Sequence, residues 1–206
     1  WEGEPLEGKT VFIYPEQGLG DTLQFARYLP IIEAGGGNVV FEIPSPLHRL
    51  FEKSDFAKYM VKEGEVPQQF DCHAPLLDIP QFMKTTFDTI PVQESYYVVE
   101  PELQKQWVER LARDEKFRVG IVWAGNPEHK NDHNRSIDPA LFQLMTDLAD
   151  VSVYSLQVGK DGEAKSVFGT QVTDLAPHFK NFADTAAAIS QLDLVVSVDT
   201  SIIHLA

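Results

Sequence analysis

The chain is short of cationic side chains, has a single cysteine and holds no long apolar run. Its 17 Lys and Arg stand against 31 Asp and Glu, a formal charge of −14 over 206 residues. Such a balance opposes general binding to nucleic acid or to an anionic membrane, since both need a cationic face. Cys72, alone, can form neither an internal disulfide nor a cysteine-rich zinc site. That fits a reducing compartment, and a cytoplasmic location is expected. No stretch approaches the roughly 20 apolar residues of a membrane span, so no transmembrane segment is expected. The start, Trp1-Glu2-Gly3-Glu4-Pro5, lacks the basic end and apolar core of a signal peptide, and Trp1 in place of methionine is read as the start of a fragment.

What is present is an alternation of short β-branched runs with helical stretches. Thr10 to Tyr14 reads as a strand, followed by the loop Pro15-Glu16-Gln17-Gly18-Leu19-Gly20 and a helix opening at Asp21. Phe25, Leu29 and Ile32 recur at helical spacing, Pro30 is expected to kink that helix, and Gly35-Gly36-Gly37 ends it. Further strands are read at 38–43, 59–61 and from Phe70, with a short helix from Pro46 to Phe51. After an irregular stretch from Lys84 to Val99, Pro101 opens a helix with Leu103, Trp107 and Leu111 on one face.

The alternation then restarts. Phe117 to Trp123 reads as a strand, Glu128 to Ser136 as a loop, Asp138 to about Leu148 as a helix, and Val151 to Leu156 as a strand. A loop and a short strand near Val172 follow, then an Ala-rich helix capped by Asn181, with Asp184 near its third position, reaching about Leu192. Asp193 to Val198 reads as a buried strand delivering Asp199, Thr200, Ser201 and His204 to a helix start. Alternating strands and helices with continuous apolar strands predict an α/β fold of two doubly wound lobes, at 1–115 and 116–206.

Three stretches can carry chemistry. Gln17, Gly18 and Gly20 would let a ligand approach the backbone beside the Asp21 carboxylate, which reads either as a general base or as a helix cap. Their spacing is neither a dinucleotide fingerprint nor a P-loop. Trp123-Ala124-Gly125-Asn126 lies at the ligand-binding edge of the second lobe's first strand, with Arg135 beyond it. Arg135 reads as a diphosphate-binding guanidinium or as a solvated loop charge. Asp199, Thr200, Ser201 and His204 gather at a helix start that favours anions, with Asp199 as a cap the plainer alternative. His129 and His133 sit in a Pro-led loop, so no metal site is expected there. Neither a nucleophile-elbow serine nor a base partner for Cys72 is present to support covalent catalysis.

Glu16 to Tyr28, Val119 to Asn126, Asn134-Arg135-Ser136 and Asp193 to Ala206 together resemble the glycosyltransferase domain that follows tetratricopeptide repeats in many bacterial proteins. That domain is similar to glycosyltransferase family 9, the ADP-heptose:lipopolysaccharide heptosyltransferases. The resemblance implies a GT-B fold, with two Rossmann-like lobes facing across a cleft and the acceptor side first. It makes Asp21 the catalytic base and implies donor binding by Asp199, Thr200, Ser201 and His204, with Arg135 near the phosphates. It further implies inverting, metal-independent transfer from a nucleotide-diphosphate sugar, without a cofactor, to a hydroxyl of a glycan, lipopolysaccharide or protein. Asn126 is grouped with the donor residues, and Gln17, Gly18 and Gly20 with the acceptor-side loop. The family continues beyond His-Leu-Ala, so an incomplete second lobe is expected, with tetratricopeptide repeats upstream. A nucleotide-sugar epimerase and a non-catalytic scaffold module are the alternatives.

Overall fold

The computed structural model describes residues 1–93, 95–111 and 115–206. The chain divides into two compact units, Trp1–Val98 and Val99–Ala206. The first comprises β1 (Thr10–Tyr14), α1 (Leu19–Phe25), α2 (Leu29–Ala34), β2 (Asn38–Ile43), α3 (His48–Glu52), β3 (Met60–Lys62), β4 (Cys72–Pro75) and α4 (Ile79–Phe82). Its strands form a parallel sheet in the order β3-β2-β1-β4. β1 is therefore interior, and its carboxyl end leads directly into the Pro15–Gly18 loop.

Register explains which residues build this core. Ile13 lies opposite Phe41 and Ala74, and all three are fully buried. Phe12 lies opposite Val40 and His73 on the other face, where burial falls from Phe12 through half-buried Val40 to exposed His73. Between α1 and α2 the chain tightens into a 3-10 turn at Ala26–Tyr28. Pro30 consequently sits in the first turn of α2, where its missing N–H costs nothing, and opens a helix rather than kinking one. The tightened turn also rotates the buried stripe: Leu23, Ala26, Leu29 and Ile32 are buried, while Phe25 is only half-buried. Tyr97 ties the end of this unit to α1 by donating its hydroxyl to the Leu23 carbonyl at 2.7 Å. Burial pushes its phenol pKa up, so the hydroxyl stays a donor.

The second unit comprises α5 (Pro101–Leu111), β5 (Phe117–Val122), α6 (Asp132–Arg135), α7 (Gln143–Thr146), β6 (Val151–Ser155), α8 (Glu163–Phe168), β7 (Val172–Asp174), α9 (Phe182–Ile189), β8 (Leu194–Ser197) and α10 (Ser201–Leu205). Its parallel sheet runs β7-β6-β5-β8. Here both faces are packed. Val122, Tyr154 and Leu156 meet α5, α9 and Ile202 in one cluster, while Val119, Ile121 and Trp123 meet Phe142, Ala164 and Phe168 in the other. Gly120 is needed at the centre, because a Cβ there would come within 2.7 Å of Leu192 and 2.8 Å of Leu156.

Several expectations change. The division falls after Val98 rather than after residue 115, because Leu103, Trp107 and Leu111 of α5 are buried against α9 and the second sheet. The 138–148 helix is shorter and mixed: Asp138 caps a 3-10 turn at Pro139–Phe142, which then runs into α7. α6 and α8 form in stretches expected to be loops, and α9 ends at Ile189. The α9 cap is as read, with Asn181 Oδ1 accepting from Ala183 and Asp184 N–H groups. β8 is an edge strand and only half-buried, with Leu194 exposed, because among the described residues no strand pairs with its outer side.

Candidate functional site

In the first unit, the loop after β1 enters α1 with Gly18 as its N-cap, so the helix opens at Leu19 and Asp21 is its third residue. Asp21 Oδ2 reaches back to accept the Gly18 N–H at 3.0 Å. The carboxylate thus supports the helix start without being the N-cap itself. Gly18 has φ −73° and ψ 170°, an extended conformation open to any residue. Gly20 lies within the first turn and is likewise absent from the positive-φ glycines. Neither position uses glycine's conformational freedom; what both omit is a side chain. Gln17 and Gly18 are exposed, and Gly20 and Asp21 half-buried.

In the second unit the polypeptide folds back on itself after β5. The Gly125 N–H donates to Ser136 Oγ at 3.1 Å, and that hydroxyl donates to Asp132 Oδ1 at 2.9 Å. A Cβ on Gly125 would lie 2.7 Å from Asp132 Oδ1, so a side chain there requires the Asp132 carboxylate to move from its place against Ser136. Gly125→Ala is expected to push Asp132 and α6 away and destabilise the unit by about 1–3 kcal/mol, read from the urea midpoint. A midpoint equal to wild type would show that the loop yields freely.

This closure carries Arg135, at the end of α6, to the turn between β8 and α10. Its Nε lies 3.5 Å from Asp199 Oδ2, and a terminal guanidinium nitrogen donates to the Asp199 carbonyl. His204 Nε2 is 4.0 Å from Asp199 Oδ1. The Asp199 side chain is 71% exposed, whereas Arg135 and His204 are 24% and 25% exposed. Two of the plainer alternatives therefore do not describe this structure. Arg135 is not a free loop charge, and the cap of α10 is Thr200, not Asp199. Thr200 Oγ1 pairs with Ser197 Oγ at 3.2 Å, and Ser201 begins the helix.

Arg135, Asp199 and His204 are thus brought together. Asn126 serves the turn, its Oδ1 accepting the Glu128 N–H and its carbonyl the His129 N–H. Sequence reading missed the Gly125–Ser136–Asp132 chain and the bond from the Trp123 indole to Glu163 Oε2 at 2.8 Å. A Ser four residues after an Asp was the available signal for the first. Among the described residues, no group of three or more His, Cys, Asp or Glu is placed to hold a metal ion. No helix among them is long and apolar enough to cross a membrane.

A similar fold occurs in a solved glycosyltransferase of family 9 from Veillonella parvula. The match has a TM-score of 0.70 at 10% identity and covers 100% of this chain and 79% of that one. The fold is that of the family 9 glycosyltransferases. A second solved structure, ADP-heptose lipopolysaccharide heptosyltransferase II from E. coli, matches with a TM-score of 0.64 at 11% identity, covering 95% of this chain and 81% of that one. No protein-family model matches the chain. In sequence it is 28% identical to Protein FlbA of Caulobacter vibrioides over 238 aligned residues, covering 100% of this chain. The chain spans 39% of that relative's length. Within the family 9 fold, both loops described above sit at the carboxyl ends of interior strands, the edge at which open α/β sheets bind ligands.

Proposed function

We propose that the chain is a glycosyltransferase domain that moves a sugar from a nucleotide-diphosphate sugar to a hydroxyl of a glycan, lipopolysaccharide or protein. The observation that carries this reading is the meeting of Arg135, Asp199 and His204 at the carboxyl ends of β5 and β8, in a fold shared with glycosyltransferases. A guanidinium is suited to grip two phosphate oxygens at once, and the surrounding chain is so acidic that such local cations are what an anionic donor requires.

In this reading Arg135, assisted by His204 and by the hydroxyls and first-turn N–H groups of Thr200 and Ser201, takes the donor diphosphate. Asp199, the present counter-charge of Arg135, is displaced by the phosphates and turns to hydroxyls of the donor sugar. Asp21 accepts the proton of the acceptor hydroxyl. The acceptor oxygen forms a bond to the anomeric carbon as the bond to the diphosphate breaks, with inversion. The nucleoside diphosphate leaves with its charge balanced by Arg135. The reading calls on neither metal nor cofactor, places the protein in the cytoplasm and expects tetratricopeptide repeats upstream.

Calorimetric titration of UDP-, GDP- and ADP-sugars into the full-length protein tests it. One donor series is expected to bind, and Arg135→Ala to weaken it by about 10- to 150-fold, the worth of one charged hydrogen-bonded contact. Absence of binding by any nucleotide sugar would remove the transferase reading and leave a scaffold module. Isomerisation of the sugar without acceptor would point to an epimerase.

A further inference from the structure

Gln157 lies two residues beyond the end of β6 and is 5% exposed. Its Oε1 accepts the N–H groups of Trp123 at 3.1 Å and Ala124 at 2.9 Å. Its Nε2 donates to the carbonyls of Ala124 at 3.1 Å and Val158 at 3.0 Å. The amide's two acceptor sites and two donors are therefore all used. β5 ends at Val122, so the groups that Gln157 takes up lie just beyond the strand. One buried side chain continues the sheet's hydrogen bonding where the β5–β6 ladder has stopped.

The segment held in this way is the one from which the Arg135 loop hangs. The Trp123 carbonyl accepts the Ile137 N–H at 2.9 Å. Ala124 leads into Gly125, whose N–H engages Ser136 and through it Asp132. Gln157 thus fixes both points where the 125–137 loop meets the sheet, and Arg135 lies between them. We propose that Gln157 is a positioning residue for diphosphate binding: it holds Trp123 and Ala124 so that Arg135 is presented at the β8–α10 turn. This rests on the transferase reading for its ligand, though not for the clamp itself.

The test uses Gln157→Met, of similar volume without the hydrogen bonds, and Gln157→Glu, which keeps the two accepted bonds but sets a buried carboxylate oxygen against the Ala124 and Val158 carbonyls. Amide exchange and nucleoside-diphosphate titration are read on both variants in the full-length protein. Gln157→Met is expected to raise exchange at Trp123, Ala124, Gly125 and Ile137 while Val119 to Ile121 stay protected. It is also expected to weaken nucleoside-diphosphate binding by about tenfold, and Gln157→Glu by at least as much. In an Arg135→Ala background the same change should cost no further affinity, because it acts through Arg135.

Equal losses in both backgrounds, or unchanged affinity, would overturn the proposal. If the wild-type protein binds no nucleoside diphosphate, the transferase reading fails. The clamp is then decided by exchange alone, with unchanged exchange at Gly125 and Ile137 counting against it. Should Gln157→Met not fold, Gln157→Glu carries the same comparison.

Discussion

Asp21→Asn is expected to leave the fold standing and to lower sugar transfer by about 10²- to 10⁴-fold, the usual contribution of a positioned general base. If Asp21 is the base of the proposed function, the substitution separates that role from its hold on the helix start. Asp21 Oδ2 accepts the Gly18 N–H at 3.0 Å, and an asparagine oxygen can accept the same bond, so the start of α1 survives. What is lost is the negative charge and the ability to take a proton. Nucleoside-diphosphate affinity should be unchanged, since Arg135, Asp199 and His204 belong to the second unit. The measurement is kcat for transfer beside a calorimetric titration of the nucleotide. Full activity in Asp21→Asn would reduce Asp21 to a helix-start residue. Asp21→Ala, by contrast, should show the added structural loss, about 0.5–2 kcal/mol, of a broken capping interaction.

Trp107→Ala is the substitution expected to cost most stability, about 3–5 kcal/mol, the range for deleting a buried large aromatic. Trp107 is 3% exposed and packs its ring against Phe179 at a centroid distance of 5.5 Å and edgewise to His178 at 6.5 Å. The Arg110 guanidinium lies 5.0 Å over the same ring. Every one of these partners is in the second unit, so the damage should be confined there. Urea unfolding gives the magnitude, and amide exchange gives the place. Exchange is expected to rise in β5 to β8 and to stay at wild-type levels in β1 to β4. The reverse pattern would assign α5 to the first unit, as a division at residue 115 supposed.

The elements that could be read directly are those whose residues carry the instruction locally. Thr10 to Tyr14 and Val151 to Ser155 are strands because β-branched and aromatic residues suit a half- or fully buried pleated surface. Leu103, Trp107 and Leu111 announce α5 by helical spacing, and Asn181 with Asp184 announces the start of α9. α6 and α8 escaped notice because four and six residues are too few to show a period. The side to which α5 belongs was equally hidden, since its stripe fits any apolar surface and only the packing of α9 chooses one.

The candidate site divides along the same line. The residue types at Asp21, Arg135, Asp199 and His204, and their places after strands, follow from chain chemistry and the rule that α/β sheets bind at their carboxyl edge. Their partnerships do not. Arg135 and Asp199 are 64 residues apart, and the ion pair between them exists because β5 and β8 are neighbours in the sheet. Gly125 is crowded only because Asp132 folds against it, and Gln157 meets Trp123 only because β6 ends beside it. Local propensity and periodicity act within a few residues, whereas pairing depends on which strands lie side by side. That is why candidate residues could be named along the chain, whereas which of them meet was decided by tertiary contact.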